Sequence, residues 1–367
     1  MASRAAALLL LALAAAPAAT GQVPSPAAGP PFDTAARTPH LVTVTIDTEP
    51  ARDILTLLSG GDGAPAALRR LKASAPARAA LRAEGTNAED FFGRLVTAAT
   101  GTPDAILAGF QADASLYRSV LDAAEQSAPT AAPLLAARVA SLLPDDPAVT
   151  ARLVVLPFLG SGGFREMTTV REGDALVFVV ELPRLLGDAS GRLQPREAFL
   201  KMLREAGSAA WRNLFASRVR KPPAWPPAGG ADFLTLLSRS VEEGPAALFL
   251  IPDEFFPLDP FFAEPVQRAF LRWNQAADRL LDPKEKDASR RQLLEDASRG
   301  DFWAQYPNVV GAQMADLLLR KKGRAAYVKA LAEGPRAVAL LYAEAVKGTK
   351  RADFSKTVRK ALEEKRP

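Results

Sequence analysis

The chain of 367 residues contains no cysteine and only one histidine, His40. The lack of cysteine excludes disulfide bonds, thiolate metal sites and a lipid anchor attached to an N-terminal cysteine. The single histidine excludes a zinc site built from several imidazoles, and a Ser-His-Asp triad would have to use His40, which lies in a Pro-rich stretch. No apolar run beyond the first 20 residues is both long enough and sufficiently free of charge to span a membrane.

The first residues have the pattern of a cleavable signal peptide. Arg4 supplies a positive charge, residues 5–16 form an apolar run, and Ala16-Pro17-Ala18 has small residues at the two positions that a signal peptidase reads. The apolar run is shorter than the roughly 20 residues of a membrane span. We therefore predict a signal peptide over residues 1–18 and no membrane span after its removal. Because the alanine, arginine and proline usage is typical of GC-rich bacterial DNA, the predicted location is secreted or periplasmic.

The positive charge is concentrated at the C-terminus. The whole chain carries a formal net charge of +5, which becomes +4 when Arg4 is removed with the signal peptide. Residues 320–367 contain 14 Lys and Arg against 5 Asp and Glu, so the rest of the chain is slightly acidic. The basic residues alternate with alanine, valine and leucine, which is typical of solvated helix faces. We therefore expect no nucleic-acid partner.

The remaining chain divides by composition into three parts. Residues 19–40 are rich in Pro and Ala and are predicted to be a linker. Residues 41–146 are predicted to hold a strand followed by helices, and residues 147–367 a small sheet followed by a helical, peptidase-like region. An apolar content of 48% is ample for a folded core. The predicted fold class is α+β and predominantly helical.

Strands and helices are predicted from their patterns. Residues 41–47 alternate apolar and polar side chains, and residues 152–158, 167–171 and 174–181 have strand-like sequences, the last with a continuous apolar run. Helices are predicted near residues 50–59, 65–83, 87–99, 103–126 and 129–143, with Pro65, Asn87, Pro103 and Pro129 near their starts. A further helix is predicted from Pro195 to about Ser217.

The helix after Pro195 contains the sequence Arg204-Glu205-Ala206-Gly207-Ser208. With histidine at positions 204 and 208 it would be the H-E-x-x-H motif, in which two His at i and i+4 bind zinc and the Glu polarises the attacking water. At about 100° per residue, Arg204 is predicted to lie in the middle of an apolar stripe formed by Leu200, Gly207, Ser208, Trp211 and Phe215. Glu205 is predicted to point about 100° away, toward Lys201 and Arg212, as an ordinary surface ion pair would.

Further segments of the chain fit the same pattern. The sequence Glu243-Gly244-Pro245-Ala246 is similar to the E-G-x-A segment that supplies a glutamate as the third zinc ligand in gluzincin-type peptidases. The strand with Asp47 and the sequences at 306–307, 311–315, 323–324 and 334–335 resemble those of bacterial secreted zinc-dependent peptidases of this type. The resemblance spans most of the mature chain, although each motif alone is weak. It implies a gluzincin-like active-site helix after the small sheet.

This chain departs from the family at both histidines. The motif positions are Arg204, Glu205, Ser208 and Glu243, and of these only the two glutamates match the family. A guanidinium cannot bind a metal and a serine is a poor zinc ligand. We therefore expect no zinc or other cofactor and name no catalytic residue.

The function predicted from this resemblance is a catalytically inactive metallopeptidase homologue that holds a peptide or a protein partner in the inherited groove. Two alternatives remain open: a structural or interaction protein of the cell envelope without such a groove, and an enzyme that uses Glu205 as a base without metal. Because the zinc has been lost and a carboxylate kept, Arg204 is predicted to form a partly buried ion pair with Glu243 or its neighbour Glu242, near Ser208.

Overall fold

The computed structural model describes residues 31–32, 42–102, 104–143, 150–160, 167–187, 193–215, 230–300 and 302–364. The described residues form two compact units. The first contains residues 42–102, 104–137, 150–160, 167–187 and 193–210, and the second contains residues 31–32, 138–143, 211–215, 230–300 and 302–364. The predicted signal peptide, nearly all of the predicted linker with His40, and Pro103 lie outside the described residues.

A four-stranded sheet is the centre of the first unit. Its strands are β1 (Val42–Ile46), β2 (Ala151–Phe158), β3 (Met167–Glu172) and β4 (Ala175–Glu181), and their order in the sheet is β1-β2-β4-β3. Strands β1, β2 and β4 are parallel, while β3 is antiparallel to β4 at one edge. The sheet therefore joins the strand predicted at 41–47 to the three strands predicted beyond residue 147, and the fold is α+β and predominantly helical, as predicted.

The burial of each strand follows its sequence. Every residue of β4 is buried, as its continuous apolar run requires, and β2 is buried except at Arg152. At the sheet edge β1 alternates between buried and more exposed positions, because a strand with one covered face places successive side chains on opposite sides. The central strands thus form the core, and the two edge strands carry the polar positions.

Helices precede and follow the strands of the sheet along the chain. Those before β2 are α1 (Glu49–Ser59), α2 (Ala64–Ala73), α3 (Ala75–Ala83), α4 (Ala88–Ala99), α5 (Ala105–Ala112) and α6 (Ala114–Ser141), and those after β4 are α7 (Leu182–Leu186) and α8 (Pro195–Leu214). Asn87 caps α4 as predicted, since its side chain accepts hydrogen bonds from the backbone N–H groups of Glu89 and Asp90.

Three of the predicted helices have wrong boundaries. The helix predicted over 65–83 is two helices, because the Ser74 side chain accepts a hydrogen bond from the N–H of Ala77 and caps a new helix start. The helices predicted over 103–126 and 129–143 are instead α5 and the long α6, which contains Pro129 and Pro133 in its interior. Each proline removes only one N–H donor, and the surrounding alanines favour the helical conformation, so the helix continues.

The second unit is helical. Its elements after the end of α8 are α9 (Ala231–Leu250), a 3₁₀ turn (Asp253–Phe255), α10 (Leu258–Phe261), α11 (Ala263–Leu281), α12 (Asp287–Asp296), α13 (Tyr306–Lys321), α14 (Gly323–Glu333), α15 (Pro335–Val346) and α16 (Lys356–Glu363). Helix α13 is buried along nearly its whole length and packs most extensively on α9. Among the described residues, no helix combines the length and the apolar composition needed to cross a lipid bilayer.

Candidate functional site

Helix α8 carries the first part of the candidate site. It begins at Pro195, as predicted, and the N–H of Gln194 just before it donates a hydrogen bond to the Glu197 carboxylate, as in a capping box. Over its first three turns the buried face consists of Ala198, Phe199, Met202 and Ala206. From Ala206 to Trp211 every residue is buried, whereas Arg212 and Asn213 at the end of α8 are partly exposed.

Arg204 is half-buried, and of the five residues predicted to share its face, Gly207, Ser208, Trp211 and Phe215 are buried. Only in the first three turns does the buried face run through Met202, and Arg204 lies two residues, about 200°, further around the helix. Leu200, which was predicted to flank Arg204 on the apolar face, is 41% exposed. The predicted face is therefore buried from Gly207 onward, while Phe199 and Met202 form the buried face of the first turns.

Ser208 is the motif residue with the most unusual environment. It is completely buried, and its Oγ has no hydrogen-bond partner among the described residues. Arg204 and Glu205 are both half-buried. A buried hydroxyl without a partner is costly, by about 1–3 kcal/mol. The serine that the resemblance aligns with the second zinc ligand is thus a buried hydroxyl whose burial no hydrogen bond among the described residues offsets.

Glu243 is held by a cation from the end of α8. The Arg212 Nε donates a 2.7 Å hydrogen bond to the Glu243 carboxylate, and both side chains are partly exposed. The neighbouring Trp211 is fully buried, and its Nε1 donates a 2.9 Å hydrogen bond to the backbone carbonyl of Glu242. The indole and the guanidinium thus join the end of α8 to α9 within the second unit. Arg212, which the sequence placed beside Glu205, therefore supplies a positive charge to Glu243.

The predicted ion pair between Arg204 and Glu243 or Glu242 stays a prediction. Arg204 and Ser208 belong to the first unit and both glutamates to the second. Among the described residues, no group of three or more His, Cys, Asp or Glu side chains is arranged to hold a metal ion.

The glycine of the Glu-Gly-Pro-Ala segment has a packing role that the sequence did not reveal. Helices α9 and α13 cross where Gly244 faces Gly311, and a methyl group added at Gly244 would lie 2.5 Å from the Gly311 Cα. A methyl group added at Gly311 would in turn overlap the carbonyl group of Ser240. The small residues let the two backbones touch, so the glycine in this segment is explained without reference to a zinc ligand.

A buried carboxyl group at the end of β4 was also missed. Glu181 is 1% exposed, and the N–H of Gly160 lies 3.2 Å from each of its carboxylate oxygens. Burial raises the pKa of Glu181 to about 8 and outweighs the opposing effect of the Gly160 hydrogen bond. The only signal in the sequence is the position of Glu181 directly after the continuous apolar run of β4.

Comparison of the chain with family models, with curated proteins and with solved structures finds no match.

Proposed function

We propose that this protein is an exported, non-hydrolytic relative of the gluzincin-type peptidases that binds a peptide or an extended segment of a partner protein. The observation that carries the proposal is the sheet edge: β3 is at the end of the strand order, antiparallel to β4, and its residues are mostly half-buried. An edge strand offers backbone N–H and C=O groups to an added strand, and neighbouring side chains then select its sequence.

The residues on the two long helices support binding without hydrolysis. Glu205 and Glu243 are retained on α8 and α9, while Arg204 and Ser208 stand where the resemblance places histidines. A zinc peptidase needs the metal to generate its nucleophile from water. On this resemblance the chain keeps the two glutamates of the family's site and lacks the histidines that would hold its metal.

Exposing the mature, chelator-treated protein to a library of short peptides tests this function. We expect peptides to be retained intact, and hydrogen exchange of the bound complex to slow at residues 167–172, because an added strand protects edge amides. The other sheet edge, β1, is the internal control and should exchange at an unchanged rate. Cleavage of the peptides would favour the metal-independent enzyme, and the absence of binding would favour the structural protein of the envelope.

A further inference from the structure

A cleft with a volume of about 330 Å³ lies within the second unit, among α11, α13 and the segment after α15. Its walls include Val266 and Gln267 from α11, Gln313 from α13, and Thr349, Lys350 and Arg351 from the segment after α15. The volume is at the lower end of the range of small-molecule sites.

Gln313 is the reason to regard this cleft as a binding site. The side chain is only 3% exposed, and its Oε1 is buried without a hydrogen-bond partner in the described part of the chain. Leaving a buried amide oxygen unpaired costs about 1–3 kcal/mol, so a helix selected only for packing would carry leucine or methionine here. The last side-chain torsion of glutamine is broad, and its rotation presents either the amide N–H groups or the oxygen to the cleft.

The segment that carries Lys350 and Arg351 is fixed by hydrogen bonds within the second unit. The Thr349 hydroxyl donates to the carbonyl of Val346 (2.7 Å) and accepts from the N–H of Arg351 (3.3 Å). Tyr342, which is fully buried, donates from its hydroxyl to the carbonyl of Ala352 at 2.7 Å. The backbone around Lys350 is therefore fixed before any ligand arrives, which reduces the entropy lost on binding.

The charges and the amide together define the ligand. Lys350 is exposed. Burial raises the pKa of the Asp316 carboxyl group, and Arg351 is close enough to oppose this shift by electrostatic attraction. The Arg320 Nε donates a 2.7 Å hydrogen bond to the same carboxylate. A ligand that fits both features is anionic and also carries an amide, because a carboxamide side chain donates to an amide C=O and accepts from its N–H. Phosphate alone satisfies the cations but offers the Gln313 oxygen no N–H donor.

We propose that this cleft binds a carboxylate adjacent to an amide group, as in an N-acylated amino acid or a peptide C-terminus, with Lys350 at the carboxylate and Gln313 at the amide. None of the residues that line the cleft belongs to β3 or to the motif positions of α8 and α9, so the proposal does not depend on the proposed function.

A ligand-observed NMR titration of the full mature chain with N-acetylalanine tests the proposal. The matched probes are the methyl ester of N-acetylalanine, which lacks the carboxylate, acetate, which lacks the amide, and acetyl-trialanine, which represents a peptide C-terminus. We expect N-acetylalanine to bind at least about tenfold more tightly than its ester or acetate. Tighter binding of acetyl-trialanine would identify a peptide C-terminus as the natural ligand, and equal or weaker binding a free N-acyl amino acid.

Substitutions in the cleft distinguish binding at this site from nonspecific binding to positive charge on the surface. We expect Lys350→Ala and Gln313→Leu each to weaken binding about fivefold or more, while Lys347→Ala, an exposed lysine outside the cleft, changes it less than twofold. Thermal melting checks that each variant is folded. Because Lys350 is on the surface, Lys350→Ala should fold normally and still tests the proposal if Gln313→Leu misfolds. The proposal is overturned if acid and ester bind equally, if inorganic phosphate competes as strongly as N-acetylalanine, or if Lys350→Ala binds like wild type.

Discussion

The substitution Gly311→Ala is expected to lower the free energy of unfolding by at least about 3 kcal/mol, the upper end of the usual cost of overpacking. A methyl group at this position would overlap the carbonyl oxygen of Ser240 and lie 2.7 Å from the Gly244 Cα. Both obstacles are backbone atoms of α9, so no side-chain rotation relieves them and the two helices would have to separate. Separation would disturb the buried hydrogen bond from Trp273 Nε1 to Ser240 Oγ, which is 2.9 Å long.

Gly93→Ala is the matched control for this prediction. Gly93 is exposed in α4, and a methyl group added there meets no atom within 4 Å. Because alanine favours a helix over glycine by about 1 kcal/mol, this variant should be as stable as wild type or slightly more stable. Chemical denaturation of the two variants gives the comparison, and similar stabilities for Gly311→Ala and Gly93→Ala would contradict the close approach of α9 and α13.

Replacing Glu181 by Gln is expected to stabilise the protein by about 3 kcal/mol near pH 7, at 1.36 kcal/mol for each pH unit above the ordinary pKa. The pKa of Glu181 is raised from 4.5 to about 8 in the folded protein because burial disfavours the carboxylate. The folded state therefore holds a proton that the unfolded state releases above pH 4.5, and wild type loses stability as the pH rises from 4.5 to about 8. A glutamine has no proton to lose, so the variant avoids this loss.

Denaturation at several pH values measures this effect. The difference in unfolding free energy between Glu181→Gln and wild type should be small near pH 4, grow steadily through neutral pH and level off above pH 8. Glu89→Gln is the control, since the Glu89 side chain is 71% exposed in an ion pair with Lys72, and such surface pairs contribute about 0–1 kcal/mol. A difference for Glu181→Gln that stays constant between pH 5 and 8 would show that the carboxyl group ionises normally.

Local sequence patterns predicted most of the strands and helices, but not where one helix breaks or continues into the next. The continuous apolar run of β4 and the alternation in β1 depend on neighbouring residues, and both were recognisable in the sequence. The break at Ser74 and the passage of α6 through Pro129 were missed, because caps and prolines favour one conformation without determining it.

The candidate site was harder to predict because it depends on contacts between distant residues. Arg204, Glu205 and Ser208 are on one helix as predicted, but the exposure of Leu200 and the burial of Met202 depend on packing partners that the sequence does not identify. The approach of Gly244 to Gly311 joins residues far apart in the chain, so each glycine by itself gave no sign of it. The bond from Arg212 to Glu243 was missed for the same reason, since Arg212 is near Glu205 in sequence but bonds to α9.

The measurement that tests the inherited zinc position most directly is the zinc content of the double variant Arg204→His, Ser208→His. If the resemblance is correct, these histidines and Glu243 supply the three protein ligands of a gluzincin site. We expect about one zinc per chain, and a zinc affinity at least about tenfold weaker when Glu243→Gln is added, because the third ligand is lost. Wild type should hold no stoichiometric zinc. The pair Arg268→His, Arg272→His, with both positions exposed on α11, controls for zinc binding by any two histidines one helical turn apart. Zinc binding by the double variant no tighter than in this control, or unaffected by Glu243→Gln, would contradict descent from a zinc peptidase.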